Sequence, residues 1–177
     1  VLQAQDVFWR RLVKATVEGT SLVRETSVGW NGGASSAQEL VSGDGYTEYR
    51  VTSGTDYVMF GLSHGDTDGG YADVDYALYT YPGTGKVMVY EGGVYKLTLG
   101  SYGVNDVLRV GVETGSVTYS VNGVLLYTSS TAPVYPLVTD VSLYSANARV
   151  SEARMGGELR EIVDWTVTPE TPSDGPA

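Results

Sequence analysis

The chain contains no cysteine, and this absence excludes disulfide bonds, zinc sites built on thiolates and cysteine nucleophiles. Charged residues are also scarce, at 18% of the chain, and only 11 basic side chains stand against 21 acidic ones. The resulting formal net charge of −10 repels phosphate backbones, so we expect no nucleic-acid partner. No apolar run approaches the roughly 20 residues that span a bilayer, so we expect no membrane insertion.

The chain is rich in tyrosine and glycine, with 14 and 23 residues respectively. Together with frequent valine and threonine, the tyrosines favour β-strands over helices. Apolar and polar residues alternate in residues 107–113 and 117–121, as expected of half-buried strands. Asn122-Gly123 then predicts a type I′ turn into residues 124–127, because both residues tolerate positive φ. These segments predict a three-strand meander.

About a dozen short strands of this kind, with no repeat of fixed period, predict an all-β fold. The expected architecture is an antiparallel two-sheet β-sandwich or jelly roll. A helix is plausible only for residues 157–164. We assign residues 1–165 to this sandwich and residues 166–177, with three prolines, to a linker or tail that joins further domains. The other predicted strands are residues 8–17, 21–25, 37–41, 46–51, 57–63, 72–79, 86–91, 94–99, 136–143 and 148–155.

Several segments resemble the concanavalin A-like lectin and glucanase superfamily: residues 42–49 (SGDGYTEY), 60–63 (FGLS), 73–79 (DVDYALY) and 90–95 (YEGGVY). Residues 105–113 and 117–123 look like the strand and hairpin that SPRY-type members of this superfamily share. The resemblance implies a concanavalin A-like jelly roll. It also suggests a subgroup of modules in large secreted or surface proteins of bacteria, and hence an extracellular or cell-surface location.

Glucanases of this superfamily carry a Glu-x-Asp-x-x-Glu strand whose carboxylates act as nucleophile, helper and acid. The nearest match here is the segment from Asp73 to Leu78, which has leucine where the acid should stand. Leucine cannot protonate a leaving group, so glycoside hydrolysis is disfavoured. The single histidine, His64, lies in no motif for a catalytic triad. We therefore expect no enzyme activity.

The same segment can instead form a binding face. If residues 72–79 are one strand, Asp73, Asp75 and Tyr79 project from one side of it. Carboxylates accept hydrogen bonds from sugar hydroxyls, and aromatic rings stack on the apolar faces of sugars. The alternative is an ordinary exposed strand face, on which polar residues alternate in any sandwich. The residues expected on the opposite, core-facing side are Val74, Tyr76 and Leu78.

Three aromatic residues in glycine-rich loops complete this candidate carbohydrate site: Trp30, Tyr71 and Tyr81. Asp66 and Asp68 are candidate ligands for calcium, which takes oxygen ligands from flexible loops. Their spacing matches the start of an EF-hand loop, but Tyr71 and Ala77 stand at the glycine and glutamate positions. A helix-loop-helix calcium site is therefore excluded, and a solvated acidic turn is the alternative.

The sequence thus predicts a non-catalytic, lectin-like module that binds a glycan or polysaccharide. It would belong to a secreted or cell-surface multidomain protein and tether an attached partner to the glycan. The alternative is a structural or adhesive module, similar to SPRY domains, in which exposed tyrosines meet a protein or an identical subunit.

Overall fold

The computed structural model describes residues 3–65 and 70–163, and the predicted linker at residues 166–177 lies outside this part. The described residues form 14 strands and a single 3-10 turn at Tyr71–Asp73. Within them, no helix has the length and apolar character needed to cross a membrane. The strands are β1 (Ala4–Asp6), β2 (Trp9–Val13), β3 (Ala15–Glu18), β4 (Ser21–Arg24), β5 (Gly32–Arg50), β6 (Val58–Ser63), β7 (Tyr76–Tyr81), β8 (Lys86–Glu91), β9 (Val94–Ser101), β10 (Val107–Glu113), β11 (Ser116–Val121), β12 (Val124–Thr128), β13 (Leu137–Leu143) and β14 (Arg149–Glu161).

The strands form two antiparallel layers that share β5. The first half of β5 pairs with β13, and β6, β7, β8 and β9 follow in that order. We call this layer the front sheet. The second half of β5 pairs with β10, followed by β11 and β12, and on its other side with β14. This layer is the back sheet, and β4, β3 and β1 extend it beyond β14. The predicted all-β two-sheet sandwich is confirmed.

The space between the sheets is filled by the inward-facing side chains of both layers. Phe60 and Leu78 from the front sheet and Tyr49, Leu108 and Tyr119 from the back sheet belong to one buried cluster. The rings of Tyr49 and Phe60 lie 4.6 Å apart between their centroids. Each fully buried large side chain contributes about 1.5–3 kcal/mol relative to an exposed one, so this cluster is the main source of stability.

The predicted meander is present as β10, β11 and β12, joined by the Asn122-Gly123 turn with φ values of 50° and 78°. The Asn122 side chain fixes this turn, since its Oδ1 accepts a hydrogen bond from Val107 N at 2.8 Å. Two expectations were wrong. The described part of the helix expected at residues 157–164 is not helical, because β14 continues to Glu161 beside β5. The two strands expected at residues 37–41 and 46–51 are halves of the single strand β5.

The close approach of β6 and β7 in the front sheet can be tested by a substitution at Gly61. A Cβ atom at this position would lie 1.7 Å from the backbone oxygen of Tyr76 in β7. Because the ladder holds both backbones, we expect Gly61→Ala to lower the free energy of unfolding by about 1–3 kcal/mol or more, measured by urea denaturation. Gly54→Ala is the control, since its Cβ would meet nothing within 4 Å. Equal stability of the two variants would contradict this packing.

Candidate functional site

In β7 and β8 the outer face of the front sheet carries apolar side chains, which is unusual for a sheet face directed away from the core. In β7, Leu78 points into the main core while Ala77 and Tyr79 belong to a second cluster. In β8, Val89 points into the core while Met88 and Tyr90 pack against that second cluster. A solvated sheet face normally carries polar residues at these positions. Both faces of these strands are therefore occupied by apolar side chains.

Eight aromatic rings form a continuous network on this outer face. Trp30 lies 5.6 Å from Tyr71 and 5.1 Å from Tyr144 between ring centroids. At the opposite end, Tyr90 lies 5.8 Å from Tyr95. These are the distances of favourable aromatic pairs. We call this surface the tyrosine face, and its members are Trp30, Tyr57, Tyr71, Tyr79, Tyr81, Tyr90, Tyr95 and Tyr144.

Tyr79 is the centre of the tyrosine face. Its ring lies 5.5 Å from Trp30, 5.7 Å from Tyr81 and 5.3 Å from Tyr90, with edge-to-face geometry in each pair. These neighbours leave Tyr79 only 9% exposed. The outer rings are more accessible, at 37% for Tyr71 and 50% for Tyr95. Tyr79 therefore supports the surrounding rings, and Tyr71 and Tyr95 present the most surface to a ligand.

Burial of these rings changes the acidity of their hydroxyl groups. Burial, followed by the nearby phenols of Tyr90, Tyr81, Tyr57 and Tyr144, raises the pKa of Tyr79 well above its usual value. Burial is also the largest cause of the raised pKa of Tyr90. A phenol is already protonated at neutral pH, and the raised pKa keeps both hydroxyl groups protonated, and able to donate hydrogen bonds, at alkaline pH as well.

A buried arginine positions two rings of the tyrosine face. Arg24 is 1% exposed, and burial lowers the pKa of its guanidinium while Glu25 opposes that shift. Its Nη2 donates to Asn31 Oδ1 at 2.7 Å and its Nε to the Ser27 carbonyl at 2.8 Å, which hold the loop around Trp30. Its Nη1 donates to the Leu143 carbonyl at 3.1 Å, directly before Tyr144 in sequence.

The structure divides the predicted carbohydrate site. Trp30, Tyr71, Tyr79 and Tyr81 lie together in the tyrosine face, but the two carboxylates do not share a strand with Tyr79. The predicted strand from residue 72 is wrong, because residues 71–73 form a 3-10 turn and β7 begins at Tyr76.

The turn also changes the side on which residues near it lie. Val74, expected on the core side, joins the second cluster with Tyr79, whereas Tyr76 and Leu78 lie in the main core as expected. Asp73 lies within the turn itself, where its carbonyl accepts a hydrogen bond from Ser63 Oγ at 3.1 Å. The alternation of a strand therefore holds only from Tyr76 onward.

Asp75 lies instead at the rim of a cleft of about 560 Å³ at one end of the sandwich. Its Oδ2 accepts a hydrogen bond from the backbone N of His64 at 2.8 Å. Glu91 lines the same cleft and accepts a hydrogen bond from the buried Tyr119 hydroxyl at 3.0 Å. Leu78, at the position of the glucanase acid, is fully buried in the core. The glucanase arrangement of carboxylates along one strand is thus absent from this strand.

Four residues of the tyrosine face were not predicted from the sequence: Tyr57, Tyr90, Tyr95 and Tyr144. Tyr90 had a usable signal, because Val87 and Val89 alternate with Met88 and Tyr90 to make β8 apolar on both faces. The same both-sided pattern occurs in β7 from Tyr76 to Tyr79. Tyr57 and Tyr144 lie next to strand ends, and only the pairing of β6 with β13 brings them together.

The predicted calcium ligands Asp66 and Asp68 lie outside the described residues, so that expectation stays a prediction. Among residues 3–65 and 70–163, no group of three or more His, Asp or Glu side chains is placed to hold a metal ion.

No family model and no curated protein matches the sequence. Solved structures do match. A human SPRY domain aligns with a TM-score of 0.64 and 16% identity, covering 83% of this chain and 97% of that chain. The SPRY domain of human HERC1 aligns at 0.60 and 15%, covering 85% and 98%. The exoplasmic/lumenal domain of VIP36, in a form with calcium and mannose bound, aligns with a TM-score of 0.60 and 9% identity, covering 90% of this chain and 87% of that chain.

The chain has the concanavalin A-like jelly-roll fold. At these identities the similarity establishes the fold alone, and the resemblance in the sequence is confirmed at that level.

The raised pKa of Tyr79 predicts a loss of stability at alkaline pH. Its phenol ionises near pH 10 in the unfolded chain, but only at higher pH in the folded chain. The neutral form is favoured by folding, so its contribution to stability is complete below about pH 10 and declines as the pH rises further. Urea unfolding at increasing pH measures this decline, which we expect to be less steep in Tyr79→Phe. Identical slopes for both proteins would contradict the burial of this hydroxyl.

The role of Arg24 is tested by Arg24→Met, which retains the apolar stem but leaves buried carbonyl groups without their donor. We expect a loss of roughly 1–3 kcal/mol or more in the free energy of unfolding. In a background of Trp9→Phe and Trp165→Phe, which leaves one tryptophan, we also expect a red-shifted fluorescence of Trp30. Arg154→Met is the control, because Arg154 is exposed and its ion pair with Asp6 spans 3.8 Å. We expect this control to change stability by less than about 1 kcal/mol. Unchanged tryptophan fluorescence in folded Arg24→Met would show that Arg24 does not position Trp30.

Proposed function

We propose that the chain is a non-catalytic carbohydrate-binding module, which binds a neutral polysaccharide through the tyrosine face. The observation that carries the proposal is the continuous network of Trp and Tyr rings on the outer side of the front sheet. Exposed apolar surface of this kind usually marks a binding site. Tyrosine also supplies both requirements of sugar recognition, an apolar ring and a hydroxyl that donates or accepts hydrogen bonds.

The shape of the face favours a chain of sugars over a single monosaccharide. The rings follow one another from Trp30 through Tyr79 and Tyr90 to Tyr95, across β7, β8 and β9. The network itself contains no ionised side chain. Because the whole chain carries a net charge of −10, an acidic polysaccharide would be repelled, whereas a neutral one would not.

The wider setting of the proposal is a module of a secreted or cell-surface protein, with bacterial surface proteins as the expected source. Similarity in fold to the carbohydrate recognition domain of Emp46p, at a TM-score of 0.53 and 12% identity, is consistent with a lectin-like role. A single copy is expected to bind weakly and to act by holding attached domains near the polysaccharide.

A protein-binding role is the second candidate, and the fold similarity to SPRY domains supports it. The two roles differ in what destroys the ligand. Periodate oxidation of the ligand would abolish binding to a glycan, whereas protease treatment would abolish binding to a protein.

The glycan proposal is tested by affinity electrophoresis in gels that contain soluble neutral polysaccharides. We expect Tyr71→Ala and Tyr95→Ala each to weaken binding about 5-fold, since an aromatic contact contributes roughly 1 kcal/mol. Phe8→Ala is the matched control, because Phe8 is an exposed aromatic residue outside the tyrosine face. We also expect no release of reducing sugars.

Two outcomes would contradict this proposal. One is a wild-type protein that none of the neutral polysaccharides retards. The other is retardation that Tyr71→Ala and Tyr95→Ala leave at the level of Phe8→Ala.

A further inference from the structure

The cleft at the end of the sandwich lies on the opposite side of β8 from the tyrosine face. Successive side chains of a strand point to opposite sides, so Glu91 points away from the side that carries Tyr90. Its bond to Tyr119 of the back sheet agrees with this orientation. The volume of about 560 Å³ is within the range of small-molecule sites. The titratable side chains with charge or basic nitrogen that line the cleft are His64, Asp75, Glu91 and Lys96.

Both carboxylates of the cleft are held in place by one of their two oxygens. Asp75 Oδ2 accepts from the backbone N of His64 at 2.8 Å, and the backbone N of Asp75 donates to Oγ of the buried Ser63 at 3.0 Å. Glu91 Oε1 accepts from the hydroxyl of the buried Tyr119 at 3.0 Å. The second oxygen of each carboxylate is therefore available to accept a hydrogen bond from a ligand.

The histidine of the cleft supplies a third acceptor. His64 Nδ1 lies 3.2 Å from the carbonyl oxygen of Pro136. A carbonyl oxygen can only accept a hydrogen bond, so Nδ1 must carry the hydrogen. In the neutral ring Nε2 then has a free lone pair. The cleft thus offers acceptors on three side chains.

The two carboxylates act on the same part of the cleft wall. Burial, followed by the charges of Glu91 and Asp75, raises the pKa of Tyr76, whose hydroxyl donates to the Ala132 carbonyl at 2.9 Å. Lys96 brings one positive charge to the cleft, but across residues 3–65 and 70–163 no ion pair joins it to either carboxylate. The negative charge of the carboxylates is therefore not neutralised by a direct contact within the cleft.

We propose that this cleft binds an amino sugar whose amine is free and protonated. Two carboxylates, one lysine and a neutral histidine give the cleft a net charge of −1, which one ammonium group balances. An ammonium group also has three N–H donors, and the cleft offers acceptors on Asp75, Glu91 and His64. The net charge of −10 attracts a cation toward the protein from a distance.

The other groups of the cleft favour a sugar over a simple alkyl ammonium such as a lysine side chain. Lys96 and the Thr131 hydroxyl can donate to the hydroxyl oxygens of a sugar ring, and Val134, which is 58% exposed, can contact its C–H groups. An alkyl ammonium has no oxygen that could accept from Lys96, and it would place two like charges in one cleft. An amino sugar uses both the donors and the acceptors.

This inference goes beyond the proposed binding of neutral polysaccharides and does not depend on it. The tyrosine face contains no ionised side chain and lies on the outer side of the front sheet, whereas the cleft is charged and lies on the other side of β8. Either site can therefore be occupied while the other is empty.

NMR titrations near neutral pH test the proposal, with methyl glycosides as the probes because these have no free aldehyde to react with Lys96. We expect methyl β-glucosaminide to bind with a dissociation constant of about 1–10 mM, as is usual for a ligand of this size. The amide signals of His64 and Gly92 should shift. Methyl β-glucoside and the N-acetylated glycoside lack the positive charge and should bind at least 10-fold more weakly.

Glu91→Gln and Asp75→Asn test the two carboxylates. Each variant keeps an oxygen for the bond from Tyr119 or His64 but removes one charge, and we expect each to weaken binding of the glucosaminide at least 10-fold. Glu113→Gln is the matched control, because it makes the same change in net charge at an exposed residue that does not line the cleft. Circular dichroism and thermal unfolding establish that the variants fold, and Asp75→Asn decides the outcome if Glu91→Gln does not.

Four results would overturn the proposal. The first is a glucosaminide titration without saturation up to roughly ten times the expected dissociation constant. The second is equal binding of the neutral or N-acetylated glycoside, and the third is equal binding of Nα-acetyl-lysine methylamide. The fourth is a folded carboxylate variant that binds as tightly as Glu113→Gln. None of these results bears on the retardation by neutral polysaccharides that tests the tyrosine face.

Discussion

The geometry of this protein depends on the continuity of β5. Its 19 residues run without interruption from the front sheet into the back sheet, and each half is hydrogen-bonded on both sides. Backbone N–H and C=O groups inside a sandwich have no water to bond, so a strand paired on both edges is fixed in register. The two sheets therefore cannot slide against each other, and the side chains directed outward from each sheet keep fixed positions.

This rigidity explains how apolar side chains can persist on the outer face of β7 and β8. A row of exposed rings would collapse onto neighbouring apolar groups if its backbone could bend. Here β7 is paired on both sides, by β6 and β8. Ala77 and Tyr79 therefore cannot turn inward unless every other side chain of β7 also moves to the opposite face of the sheet. The rings instead cover one another, with Tyr79 beneath the rest. Hydrogen bonds from Arg24 to Ser27 and Asn31 hold the loop that carries Trp30 against these strands.

The fold could be predicted from the sequence because its signals are local. Alternation of side chains marked β10 and β11, and the Asn122-Gly123 pair marked the turn after them. The predicted break in β5 was wrong for a physical reason. The residues Ser42-Gly43-Asp44-Gly45 carry a turn composition, and Gly43 does adopt a φ of +70° where the ladder shifts register. Pairing with β14 nevertheless continues on both sides of Gly43, with Ser42 opposite Glu158 and Gly45 opposite Gly157. Tertiary pairing thus overrides a local turn preference.

The candidate site could be predicted only in part, because its members come from segments far apart in sequence. Tyr71, Tyr79 and Tyr81 were found from one segment and its loops, and Trp30 was found from its glycine neighbours. The placement of Asp75 failed because a short 3-10 turn shifts the start of β7, and strand alternation gives no warning of such a turn. Tyr144 joins the face through Arg24 and the end of β13, a relation that exists only in three dimensions.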